Sequence, residues 1–243
     1  LIIYKPAGMP SASLKEGEEG TLAAWILARF PEQSGIGPGE TEGGLVHRLD
    51  NDTSGVVAAA RTEKAYAKLR EQFQQGMVRK EYLGLVVGHP PARGSIDAPI
   101  AHHPRKKKKM VVCESEARAK DWGGRPATTK FSVLQRYTLS QAEGSTPYAL
   151  VEVSITTGVR HQIRVHLASL GYPIAGDRLY QTPKKRAADI LKLERHFLHA
   201  HKLTLDHPST GQPETFSAPL WQPLTGRLPL SISLICADTL FWR

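Results

Sequence analysis

The chain begins with an apolar run of strand character, Leu1-Ile2-Ile3-Tyr4, followed by a turn-rich stretch, Lys5-Pro6-Ala7-Gly8-Met9-Pro10. Leu22, Trp25, Ile26 and Phe30 then recur at helical spacing behind Thr21, whose hydroxyl suits an N-cap, and Pro31 ends the segment. Residues 33–44, rich in glycine and acids, read as a surface loop leading into Leu45-Val46. Thr62 caps a second predicted helix, with Ala65, Tyr66, Leu69 and Phe73 on one face and Gly76 as its stop.

From Val78 to Gly88 the period becomes two. Leu83, Leu85 and Val87 alternate with Tyr82, Gly84 and Val86, which predicts a strand buried on both faces, with Lys80 and Tyr82 on one side. Residues 129–137 and 148–155 are two more alternating runs, and the polar stretch between them, with Gly144 and Pro147, predicts a hairpin with a long turn. Ile163, Leu167 and Leu170 return to helical spacing and Gly171 closes that helix. A further helix is expected around residues 184–193 and a last strand over 197–205. Helices and strands mix without strict βαβ alternation or a fixed repeat, so the expected class is α+β with a mixed, mostly antiparallel central sheet. No composition break divides the chain, and residues 1–243 are expected to form a single domain.

Charge narrows the choice of partner. Against 23 Asp plus Glu stand 32 Lys plus Arg, a net charge of +9, which favours an anionic partner: nucleic acid, a membrane surface or an acidic protein. With 40% hydrophobic and 23% charged residues the chain lies in the globular range, which excludes an intrinsically disordered protein. No run of apolar residues is long enough for a transmembrane helix. Cys113 and Cys236 make neither a C-x-x-C pair nor a disulfide framework, so reduced thiols and a cytoplasmic location are expected. The chain opens inside a strand-like run with neither Met nor a signal pattern, the expectation being a trimmed N-terminus. Two basic runs, residues 105–109 and 184–186, fall in or beside predicted loops.

Three stretches could carry chemistry. In residues 43–55 a charged core, His47-Arg48-Leu49-Asp50, precedes a turn, Asn51-Asp52. Asp50 there is either a turn-former bonding the amides that follow it or a working carboxylate at a strand-to-turn junction. In residues 157–166, Arg160 and Arg164 are four apart, which predicts one helix face able to hold phosphates or a carboxylate. Tyr82 either fills the core or stacks a base. His199 and His201 share a strand face, yet no third ligand stands at a sensible spacing, so no metal is expected.

The order and spacing of several motifs give these stretches a common reading. Lys5-Pro6-Ala7-Gly8-Met9, the His47-Arg48-Leu49-Asp50 to Thr53-Ser54-Gly55 signature, Lys80-x-Tyr82, residues 94–100, His161-Gln162-Ile163-Arg164, Gly176-Asp177 and Leu198-His199-Ala200 follow one another along nearly the whole chain. The chain thereby resembles the RluA/RluD class of RNA pseudouridine synthases, which isomerise uridine to pseudouridine in ribosomal or transfer RNA.

The resemblance implies a catalytic domain over residues 1–243, with the class's frequent N-terminal S4-like RNA-binding domain absent from these residues. It makes Asp50 the catalytic carboxylate, Arg164 its cationic partner, Tyr82 the aromatic residue beside the target base, and Leu198 an apolar residue on the base's other side. Arg48 matches the residue that fills the space left by the flipped nucleotide. Lys106, Lys107 and Arg160 are the candidate backbone contacts, through the counterion release that drives phosphate binding. The implied enzyme is a monomer, needs no cofactor or metal, and acts on ribosomal RNA first and transfer RNA second. The chain departs from the class at Val159, where an arginine usually follows Thr-Gly. The competing reading is a basic RNA-binding module without turnover, which would have no use for a carboxylate in a basic groove.

Overall fold

The computed structural model describes residues 1–13, 18–141 and 144–220. In chain order these form β1 (Ile2–Lys5), α1 (Leu22–Arg29), β2 (Ser54–Ala58), α2 (Glu63–Gln74), β3 (Arg79–Val87), β4 (Arg93–Asp97), β5 (Ile100–His102) and β6 (Met110–Val112). There follow α3 (Glu116–Trp122), β7 (Thr128–Gln141), β8 (Gly144–Ile155), α4 (Gln162–Ser169), α5 (Pro183–Ala188), β9 (Leu198–Asp206) and β10 (Pro213–Ser217). The class is α+β with a mixed, mostly antiparallel sheet: β2 and β9 run parallel, while β1 with β2, β9 with β10, β4 with β7 and β7 with β8 are antiparallel.

Two compact units divide the described chain. The first holds residues 1–80 and 199–220, with strand order β1-β2-β9 and β10 paired antiparallel to β9 off that path. Its core packs Val46, Val56, Leu69, Val78, Leu203 and Leu205 together. Helix α2 meets this core because Ala65, Tyr66, Leu69 and Phe73 fall on one face, and Thr62 starts it by accepting the Ala65 N–H at 3.2 Å. Thr21 caps α1 in the same way at 3.1 Å, burying Leu22 and Ile26, whereas Trp25 turns outward and stays 49% exposed. Trp25 sits three residues from Leu22 and one from Ile26, on the edge of a helix that buries only a narrow stripe. The loop of residues 33–44 is pinned by Gln33, buried and donating to the carbonyls of Gly43 and Ala60 at 2.9 and 2.8 Å.

The second unit, Glu81–Leu198, carries the strand order β3-β8-β7-β4 and a separate β5-β6 pair. The hairpin of β7 and β8 is longer than its pattern predicts: Gly144 and Pro147 lie within β8, where Pro147 stands opposite Thr138. Apolar alternation is lost there because that end of the ladder is exposed on one face, but the backbone pairing continues. Helix α5 starts at Pro183 and contains Lys184–Arg186, as the helix expected from residue 184 requires, but ends at Ala188 rather than near Leu193. It stops because Asp189 leaves helical geometry, with ψ 90°, to bury its carboxylate. Cys113 is a buried free thiol; Cys236 lies outside the described residues.

Candidate active site

In the first unit the His47–Gly55 segment forms a braced turn. Asp50, half-buried, accepts the Thr53 N–H through its backbone carbonyl at 3.0 Å, closing the turn over Asn51 and Asp52. Lys5, almost wholly buried, donates its ammonium to the carbonyls of Pro6, Met9 and Asn51 at 2.9, 2.6 and 2.9 Å, and Gly8 N–H adds a bond to Asn51 O at 2.9 Å. The Ser11 hydroxyl bonds both the N–H and the carbonyl of Leu49 at 3.0 Å. The N-terminal Lys-Pro-Ala-Gly-Met stretch thus holds the Asp50 turn from outside, the Lys5 ammonium and the Gly8 N–H donating to backbone carbonyls. Arg48 is exposed on the same turn.

The far end of the turn is fixed by β9. Gly55 has φ +126°, and a Cβ there would lie 2.2 Å from the Ala200 carbonyl oxygen, so the parallel β2–β9 pairing requires glycine at this place. Ser54 Oγ meets His199 Nδ1 at 2.9 Å, and His199 Nε2 lies 3.0 Å from the Ala218 carbonyl. A carbonyl only accepts, so Nε2 carries the proton, and in the neutral ring Nδ1 accepts from the serine. His201 Nδ1 donates to the same Ala218 carbonyl at 2.9 Å. His47 stacks on Phe73 with ring centroids 4.7 Å apart and accepts the Ala58 N–H at 3.0 Å. Burial, then the charges of Lys80 and Arg70, push its imidazole down to about 3, so it is a neutral structural acceptor. Lys80 lies over the Phe73 ring at 5.5 Å, and burial lowers its ammonium to about 8.

In the second unit Tyr82 is buried on β3, two residues from Gly84 and so on the same strand face. The Leu198 side chain comes 3.5 Å from where a Gly84 Cβ would stand, which puts Leu198 on that face too. Leu85 N–H donates to Phe197 O at 3.2 Å and sets that approach. Arg164 is buried on α4, its Nε and Nη2 donating to the two oxygens of Asp177 at 2.7 and 3.0 Å. Asp177 Oδ1 also accepts the N–H groups of Leu179 and Tyr180 at 3.0 and 3.2 Å. Burial would raise the Asp177 carboxyl, but the Arg164 bonds and charge, His196 and the Leu179 N–H outweigh it and hold it below its ordinary value. The Tyr180 ring lies 5.2 Å from the Arg164 guanidinium; its hydroxyl accepts from Met110 N–H at 2.9 Å and is hydrogen-bonded to His161 Nδ1 at 2.9 Å.

Against this geometry stand the known relatives. Residues 1–169 match the family described as RNA pseudouridylate synthase. A protein of Chloroflexus aurantiacus named as an uncharacterized RNA pseudouridine synthase is 43% identical over 216 residues, 89% of this chain and 61% of that protein. The chain belongs to the RNA pseudouridylate synthase family. The ribosomal large subunit pseudouridine synthase D of Nitrosomonas europaea is 38% identical over 223 residues, covering 90% of this chain and 59% of its own length. The chain therefore spans about three fifths of these curated relatives. The fold matches that of human RNA pseudouridylate synthase domain containing 1, with a TM-score of 0.68 over 99% of this chain and 91% of that one at 24% identity.

Within this family frame, Val159 acquires a structural reason. It is buried in an apolar cluster with Ile100, Met110, Ala127, Val165 and Tyr180, where an arginine would lose its hydration. Gln162 locks the preceding loop: its Oε1 accepts from Thr157 Oγ1 and Val159 N–H at 3.0 and 3.1 Å, and its Nε2 donates to Thr128 O and Thr129 Oγ1 at 3.0 and 3.2 Å. Arg160 and Arg164 do not share a face. Helix α4 begins only at Gln162, with His161 in left-handed geometry at φ 55°, so Arg160 stays in the loop, exposed, while Arg164 is buried. Lys106 and Lys107 are exposed between β5 and β6. Among the described residues no group of three His, Cys, Asp or Glu could hold a metal ion. Asp177 and Tyr180 had no role in the sequence reading, and the one signal for them was the Gly176-Asp177 pair.

Proposed function

We propose that this chain isomerises uridine in RNA to pseudouridine with Asp50 as the catalytic carboxylate. Membership of the family carries the reading, and a carboxylate on a turn braced from both sides supports it. The reaction exchanges the N1–C1′ bond of uridine for a C5–C1′ bond; the proton lost from C5 is balanced by one gained at N1, so no oxidant or reductant is required. Asp50 presents a preformed oxygen to the reacting nucleotide, and preorganisation removes the entropy cost of ordering that turn on binding. To Arg164 we assign the cation that keeps the carboxylate ionised where water is scarce. To Tyr82 and Leu198 we assign the aromatic and apolar walls of the base, and to Arg48 the filling of the vacated stack. Lys106, Lys107 and Arg160 hold backbone phosphates, their exposure leaving them free to do so.

The substrate proposed is large-subunit ribosomal RNA, the substrate in the name of the Nitrosomonas europaea relative. Incubating the protein with transcripts of large-subunit ribosomal RNA and of transfer RNA, then mapping pseudouridine, tests this. New pseudouridine at defined positions of the ribosomal transcript is expected. Modification of the transfer RNA alone would overturn the substrate, and modification of neither would overturn the activity.

A further inference from the structure

A cleft of about 140 Å³ in the second unit lies outside the site described above. Its floor is formed by Gly176, Gln181 and Asp189, and its rim carries Arg178, Arg186 and Lys192. The Asp189 carboxylate is occupied, accepting from Tyr148 OH at 2.7 Å, Gly176 N–H at 2.9 Å and Gln181 Nε2 at 2.6 Å. The three cations are exposed and none has a carboxylate partner among the described residues. Arg186 donates to the Arg178 carbonyl, and Lys192 Nζ to the carbonyls of Arg186 and Ala187 at 3.2 Å, neutral acceptors that orient the groups without cancelling their charge. Three cations against one occupied carboxylate leave a positive cleft with forked donors, which match phosphate oxygens. No aromatic ring lines it to stack a base.

We propose that this cleft binds a backbone phosphate of the RNA substrate, an inference that rests on the activity proposed above. The same short segment serves both places: Asp177 and Tyr180 face Arg164, while Gly176, Arg178 and Gln181 line the cleft. A phosphate seated there fixes the segment that aims Arg164.

The test is RNA affinity of the full chain against salt, comparing wild type with Arg178→Gln/Arg186→Gln/Lys192→Gln. A control, Lys64→Gln/Lys68→Gln/Lys120→Gln, removes the same charge from exposed positions on α2 and α3. Losing one phosphate contact lowers the slope of log affinity against log salt by about 0.7 to 0.9, with an affinity loss on the order of tenfold, in the cleft variant only. Arg178→Gln alone, whose side chain makes no hydrogen bond among the described residues, shows the same direction without risk to the fold. Equal losses in cleft and control variants, or an unchanged slope in the cleft variants, would overturn the proposal. Wild-type release of tritium from uracil C5 is read separately: if it is absent while the slope difference persists, the activity falls and the cleft stands.

Discussion

At the scale of single residues, several buried charged groups are fixed by backbone carbonyls or a counter-charge, as Lys5 and the Arg164–Asp177 pair are. Arg164 and Asp177 are both almost fully buried, so removing the carboxylate takes two charge-assisted hydrogen bonds from a buried guanidinium. Asp177→Ala should cost about 3–5 kcal/mol in urea unfolding, and Asp177→Asn distinctly less, because the amide oxygen still accepts from the guanidinium. His47 makes stability depend on acid. Its imidazole titrates at about 3 in the folded protein and near its ordinary 6.5 when unfolded, so below that value the unfolded chain takes up a proton the native one refuses. Stability is complete above the unfolded value and falls as pH drops toward about 3, by up to about 1.4 kcal/mol per pH unit. His47→Gln, which keeps an acceptor for Ala58 N–H, should flatten that limb in urea unfolding followed across the window. His47-Arg48-Leu49-Asp50 was legible because its residues are neighbours in sequence. The Arg164–Asp177 ion pair was not, since Asp177 stands 13 residues on and is turned back by the segment at Gly176.

At the scale of elements, the caps and periods were readable wherever one face is buried. Thr21 and Thr62 start their helices as their hydroxyls predict, and β3 is buried on both faces as its double alternation requires. Helix α3 escaped because none of its residues is buried, so no apolar stripe marks it. The outer half of the β7–β8 hairpin escaped for the same reason: backbone pairing persists where side chains give no alternation. The β2–β9 junction decides whether the Asp50 turn is held. Gly55→Ala would drive a methyl into the Ala200 carbonyl, whereas Gly8→Ala, at φ +83° with open space around it, meets only the conformational cost of about 1–2 kcal/mol. Thermal melts should show a larger fall for Gly55→Ala than for Gly8→Ala. The reverse order would contradict the close approach of the two strands.

At the scale of the whole molecule, a net charge of +9 suits the RNA proposed as substrate, yet the reaction is assigned to one of its 23 acids. On that proposal, diffuse lysines and arginines attract the backbone, and their removal should weaken RNA binding in a salt-dependent way. A carboxylate among them repels phosphate, so its presence is explained by chemistry rather than by affinity. The two jobs separate cleanly in one experiment on RNA tritiated at uracil C5, with RNA affinity measured alongside. The wild type should release tritium. Asp50→Ala should release none while binding RNA at least as tightly and unfolding at a similar temperature. Release by Asp50→Ala at the wild-type rate would contradict the assignment of Asp50 as the catalytic residue.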